Sequence, residues 1–118
     1  SHDMGDDNLA ETFGYVAAEM GKRGIAFICS REREAGDSIG PQLKKAFGGA
    51  YIANEKFTKE SANAWLANGS ADAVAFGVPF IANPDLPARL KQDAPLNQAH
   101  PETFYAKGPV GYIDYPVL

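Results

Sequence analysis

The chain has 118 residues, 45% hydrophobic and 22% charged, with a formal net charge of −4, the balance of one modest globular domain. The negative charge and the lack of a Lys/Arg cluster argue against a nucleic-acid partner, and no apolar run approaches the ~20 residues that span a bilayer. Cys29 has no second cysteine to pair with and the N-terminal segment is acidic and polar, unlike a secretory leader, so a reducing cytoplasm is the expected setting.

Residues 1–8 read as a loop, an unusual start for a whole protein. Asn8 followed by Glu11 resembles a capping box, and Leu9, Phe13, Val16, Ala17 and Met20 then fall on one face at helical spacing. Lys22 and Arg23 suit the last turn, and Gly24 ends it. Ile25, Ala26, Phe27, Ile28 and Cys29 form a continuous apolar run, the pattern of a parallel strand covered on both faces. Ser30 to Glu34 then reads as a polar loop whose Arg/Glu alternation could line a site, with a solvated loop the favoured reading.

Asp37 or Ser38 is expected to cap a short helix through Phe47, with Ile39, Leu43, Ala46 and Phe47 inward and Gly48-Gly49 as its stop. A second strand covers residues 50–53, and Asn54, Glu55, Lys56 and Phe57 form a turn at its C-terminal end. Thr58 caps the next helix, which buries Ala62, Trp65 and Leu66 and stops at Gly69. The third strand is residues 73–76. Asn83 is then placed to cap a last helix from Pro84 to about Gln92, ahead of a tail rich in Pro, Gly and Tyr.

Strands alternating with helices imply right-handed crossovers and a parallel sheet. Three strands cannot close a barrel, and a sheet of three leaves two unpaired edges, an aggregation liability unless another copy or a missing part covers them. A strand, Gly77 and a helix start also make a plausible anion site, since unpaired N–H groups converge there; an ordinary strand-to-helix connection explains the same residues.

Six stretches carry a family likeness: Ile52-Ala53-Asn54-Glu55-Lys56-Phe57-Thr58, Ala71-Asp72-Ala73-Val74-Ala75-Phe76-Gly77, Phe80-Ile81-Ala82-Asn83-Pro84-Asp85-Leu86, Ala94-Pro95-Leu96-Asn97, Thr103-Phe104-Tyr105 and Gly111-Tyr112-Ile113-Asp114-Tyr115-Pro116. In order and spacing they resemble the old yellow enzyme family, its bacterial xenobiotic reductase B group in particular. The resemblance implies an α/β fold, the C-terminal part of a (β/α)8 TIM barrel, with the three strands as barrel strands six to eight. The family chain is about three times longer, so the resemblance implies a C-terminal fragment of a single FMN-binding domain, missing the N-terminal part of the barrel.

Carried over residue by residue, the resemblance makes Ala53, Asn54, Glu55 and Lys56 one FMN-phosphate segment and Phe76, Gly77 and Val78 another. In such barrels a phosphate site commonly lies in the loops after strands seven and eight. Tyr105 matches an aromatic bordering the flavin and substrate pocket. Many members have Gly where this chain has Glu55, and Arg where it has Val78, so one bidentate phosphate contact is lost. The implied parent is an NADPH- or NADH-dependent FMN oxidoreductase acting on electrophilic small molecules: activated alkenes, nitroaromatics or nitrate esters. Its substrate-holding His/His or His/Asn pair and its proton-donating Tyr lie upstream, so no catalytic residue is assigned here and the fragment alone is expected to be inactive.

His2 and His100 match neither catalytic position and read as surface residues. Trp65 reads as core, and Cys29 as a buried small hydrophobe rather than a nucleophile. Tyr112 and Tyr115 read as tail aromatics packed on the barrel. Glu32, Glu34 and Asp37 have no metal-ligand spacing, and no metal is expected. A non-catalytic phosphate- or flavin-binding half-barrel that needs a partner chain is the alternative; a receiver-like or flavodoxin-like module would need more strands.

Overall fold

A computed structural model describes residues 7–31 and 38–118. The chain divides into two compact units, Ser1–Ala75 and Phe76–Leu118. In the first, helix α1 (Leu9–Lys22), strand β1 (Phe27–Arg31), helix α2 (Gly40–Phe47), strand β2 (Ala50–Asn54), helix α3 (Lys59–Ala67) and strand β3 (Ala73–Ala75) alternate along the chain. The three strands form one parallel sheet in the order β1-β2-β3. Phe27 is in register with Ala50, Arg31 with Asn54, and Asn54 with Ala75, so the C-terminal ends of all three strands lie side by side.

Strand periodicity decides which residues enter the core. Tyr51 and Ala53 point to one face of β2 and are each 1% exposed. Leu43 and Phe47 of α2 and Ala62 and Trp65 of α3 are buried as well, and Phe57 meets Trp65 edge-to-face at 5.0 Å between ring centroids. The Tyr51 hydroxyl lies 2.5 Å from the Ser30 Oγ, a hydrogen-bond partner for this buried phenol. At the opposite end of the sheet Asp72 accepts a hydrogen bond from the Tyr51 amide and an ion pair from Lys44, whose Nζ also donates to the Gly69 carbonyl. That amide first, and the Lys44 ammonium second, hold the Asp72 carboxyl below the usual range.

The expected punctuation forms where it is local. Thr58 Oγ1 accepts from the Ser61 amide while Ser61 Oγ accepts from the Thr58 amide, a reciprocal cap. Gly24, Gly48 and Gly69 take φ of 69°, 74° and 78° just beyond the three helices, where an L side chain is disfavoured. Gly21 answers a different need: a Cβ there would lie 2.2 Å from the Phe47 carbonyl oxygen, so its absence lets α1 lie against α2.

Several expectations are corrected. The Asn8 side chain makes no cap hydrogen bond to the helix backbone; it donates to Glu11 instead. The first strand begins two residues later than the apolar run suggests and includes Ser30 and Arg31, because pairing with β2 rather than hydrophobicity sets its limits. It is not covered on both faces: Phe27 is 53% exposed and Cys29 is exposed, so Cys29 is no buried hydrophobe. Ala73 of the third strand is exposed as well, and that strand ends at Ala75 rather than residue 76. Leu66 is 42% exposed, on the outer side of α3. Leu9, Phe13, Val16 and Met20 of α1 are 38–47% exposed and line an open apolar trough of about 460 Å³ with Ile28, Cys29 and Leu43. Ile39 precedes α2 at the cap position; Ser38 Oγ accepts from the Gly40 amide at 3.3 Å, and Asp37 lies outside the described residues.

In the second unit the helix expected from Pro84 is formed as α5 (Leu86–Gln92), but an unexpected short helix, α4 (Val78–Ala82), precedes it, and a 3-10 turn follows at Pro101–Thr103. Asn83 ends α4 and does not cap α5; fully buried, it donates to the Pro79 carbonyl and accepts from the Asn97 amide. Arg89, 5% exposed, ties the tail down: Nε donates to Asp85 at 2.7 Å, Nη1 to the Pro95 carbonyl at 2.6 Å and Nη2 to the Pro116 carbonyl at 2.8 Å. The other Asp85 oxygen accepts from the Leu118 amide. The Arg89 guanidinium, and after it that amide, depress the Asp85 carboxyl.

Candidate functional site

In a parallel α/β sheet, ligands gather at the C-terminal ends of the strands, where the loops and the unpaired amides are. Here those ends are Arg31, Asn54 and Ala75. The loop after β2 starts from Ala53, which is buried, and Asn54, which is half-buried. Glu55 then takes φ of 104° and Lys56 φ of 58°. A non-glycine residue beyond the left-handed basin costs on the order of 1–3 kcal/mol, and such residues cluster where the backbone is shaped for a ligand. The Glu55 backbone takes the conformation that Gly favours.

Two charges frame this turn. Arg31 Nε donates to Glu55 Oε2 at 2.9 Å, with Arg31 64% and Glu55 22% exposed at the side chain. Lys56 is exposed and makes no hydrogen bond to a described residue. The reading of Arg31 as part of a solvated loop is corrected: it is the last residue of β1. A basic residue just past an apolar run, at the C-terminal end of a parallel strand, was the signal available in the sequence. Glu32 and Glu34 lie outside the described residues.

The loop after β3 belongs to the second unit. Phe76 is half-buried, and Gly77, at φ −88° and ψ −87°, opens α4. The Phe80 and Ile81 amides bond back to the Gly77 carbonyl, and Pro79 has no amide to offer. The Gly77 and Val78 amides make no hydrogen bond to a described residue, and a Cβ added at Gly77 would meet nothing within 4 Å. Val78 is 49% exposed. The helix expected to begin at Pro84 is not the one that follows Gly77; α4 intervenes.

Tyr105 is 99% exposed. A groove of about 480 Å³ in the second unit is lined by residues that include Asn97, Thr103, Val110, Asp114 and Tyr115, but not Tyr105. His100 Nδ1 lies 3.2 Å from Glu102, and its ring stacks on Tyr115, whose hydroxyl accepts from the His100 amide. His2 lies outside the described residues. Among the described residues no three His, Cys, Asp or Glu side chains gather as a metal set, and no helix is long and apolar enough to cross a membrane.

No family model matches the chain. Curated relatives do. It is 39% identical to 12-oxophytodienoate reductase 2 of Arabidopsis thaliana over 126 residues, 98% of this chain and 33% of that protein. Over 106 residues it is 42% identical to 12-oxophytodienoate reductase 1 of Oryza sativa subsp. japonica, 89% of this chain and 27% of that one. Among solved structures it is similar to the old yellow enzyme from Trypanosoma cruzi, with a TM-score of 0.90 and 32% identity over 98% of this chain and 32% of that one. Morphinone reductase, solved in complex with tetrahydroNAD, gives a TM-score of 0.89 and 41% identity over 97% and 32%. The parallel α/β order of this chain matches part of the barrel of those structures. At these identities over nearly its whole length, the chain belongs to the old yellow enzyme family, of whose members it spans about a third.

Proposed function

We propose that this chain is the C-terminal third of one FMN-binding (β/α)8 barrel domain and supplies the phosphate-side wall of its flavin site. The observation that carries the reading is the strained turn at Glu55 and Lys56, at the end of a parallel strand, in a chain of this family. Each segment, taken by itself, offers groups that fit a phosphate. Lys56 offers an exposed cation, the Gly77 and Val78 amides have no described partner, and the space at Gly77 is open to a close approach.

Each loop is assigned its own part. Ala53 anchors the first segment in the core, so that Asn54, Glu55 and Lys56 present backbone to the anion from a rigid strand end. Phe76, Gly77 and Val78 form the second segment, where backbone amides stand in for the Arg that the resemblance leads one to expect at Val78. Tyr105, exposed in this chain, is proposed for the rim of the substrate pocket. Bound FMN supplies hydride transfer from NADPH or NADH to an activated alkene, a nitroaromatic or a nitrate ester. The groups that polarise such a substrate are assigned to the upstream part of the barrel, and this segment alone is proposed to be inactive.

A chain that holds phosphate without turnover, as a half-barrel awaiting a partner, is the second reading. It is favoured by the open trough beside α1 and by the β1 edge, which no described strand pairs. In either case the upstream strands of the barrel are the proposed cover for that edge.

The test is a fluorescence titration of the chain with FMN, repeated after co-expression with the upstream two-thirds of a family member. Flavin bound in both cases, with NAD(P)H-dependent turnover only in the second, is the expected result. No flavin uptake in either would refute the assignment of these loops.

A further inference from the structure

We propose that Arg31 is a positioning residue for the turn that follows β2: its ion pair with Glu55 holds that turn in the strained conformation that presents the phosphate-binding backbone. The inference rests on the proposed phosphate role of that loop and adds a residue to it.

The geometry sets up the task. With Gly at this position, positive φ would come without steric penalty. Here a side chain occupies it, so the backbone at Glu55 has a reason to relax to negative φ, and something must oppose that. Arg31 is well placed to do so. The parallel register sets it beside Asn54, one residue before Glu55, so its guanidinium reaches the carboxylate across the strand ends at 2.9 Å. Both anchors belong to the sheet, and the tethered residue is the first one beyond it. A carboxylate fixed to β1 cannot swing with a relaxing backbone without breaking the pair. Glu55 thus carries both the strain and the handle by which the strain is held.

A second consequence concerns charge. An unpaired carboxylate in a phosphate-binding loop would repel the ligand; paired with Arg31, Glu55 presents little net charge to it.

The experiment titrates the wild-type chain, Arg31→Gln, Glu55→Gly and the double variant with FMN, while two-dimensional NMR follows the backbone amides of positions 55 and 56 in each. An exposed ion pair is modest, so Arg31→Gln is expected to weaken FMN binding about two- to five-fold at low salt. It also shifts both amide resonances. In 1 M salt, where the screening length is about 3 Å, the wild type loses most of that advantage. With Glu55→Gly as background, Arg31→Gln changes neither affinity nor shifts, since neither strain nor handle remains, and Arg31→Lys keeps most of the wild-type behaviour.

Equal weakening in both backgrounds overturns the proposal, because Arg31 would then meet the phosphate directly. Unmoved resonances in Arg31→Gln overturn it as well. If the wild type takes up no FMN, the phosphate reading fails instead, and the brace is judged by the resonances alone.

Discussion

Replacing Arg89 tests how the C-terminal tail is held. Its guanidinium is almost wholly buried and spends three donors on Asp85 and on the carbonyls of Pro95 and Pro116, two points of the tail far apart in sequence. Hydrogen bonds from a charged donor contribute roughly 1.5–3 kcal/mol each, but Pro95 and Pro116 are not buried and their carbonyls can turn to water, so about 1–2 kcal/mol each applies. For Arg89→Ala the two carbonyl bonds then amount to about 2–4 kcal/mol, and the loss of the Asp85 pair acts in the same direction. Arg89→Lys, a point charge without the planar fork, reaches fewer of the three acceptors and falls between. Hydrogen exchange read by mass spectrometry over residues 94–118 measures the opening directly: the alanine variant should lose roughly 30- to 700-fold of tail protection. Protection within about three-fold of wild type would show that apolar contacts, not Arg89, hold the tail.

Tyr51→Phe removes the hydroxyl bonded to Ser30 and should lower stability by about 0.5–1.5 kcal/mol in a urea melt, with Ser30→Ala giving no further loss in its presence. Thr58→Ala breaks the reciprocal cap of α3 and should cost about 1 kcal/mol by the same melt, whereas Thr58→Ser should cost less. The Asp72 carboxyl is depressed in the folded state, so it adds stability above its unfolded pKa that is lost as pH falls through the folded one. Unfolding midpoints at successively lower pH should therefore fall more steeply for the wild type than for Asp72→Asn. Parallel curves would remove Asp72 from the acid response.

The alternation of strands and helices was legible because each element carries its own signal. The apolar runs near residues 25, 50 and 73 each precede or coincide with a strand, and Thr58, Gly24, Gly48 and Gly69 punctuate the helices through local backbone chemistry. The errors fall where a partner distant in sequence decides. Asn83-Pro84-Asp85 has every mark of a helix start, yet the Asn83 side chain is claimed by Asn97 and Pro79, and a five-residue helix precedes it. Cys29 lies in an apolar run, but it is on the β1 face opposite Ser30 and Tyr51.

For the candidate site the division is similar. The loops at Asn54 to Lys56 and Phe76 to Val78 could be named from the sequence, since position after a parallel strand and likeness to a family both point to them. The positive φ at Glu55 and its pairing with Arg31 could not. Side-chain type and spacing report local preference. The register of β1 on β2 is a tertiary fact, and it alone brings residue 31 to residue 55.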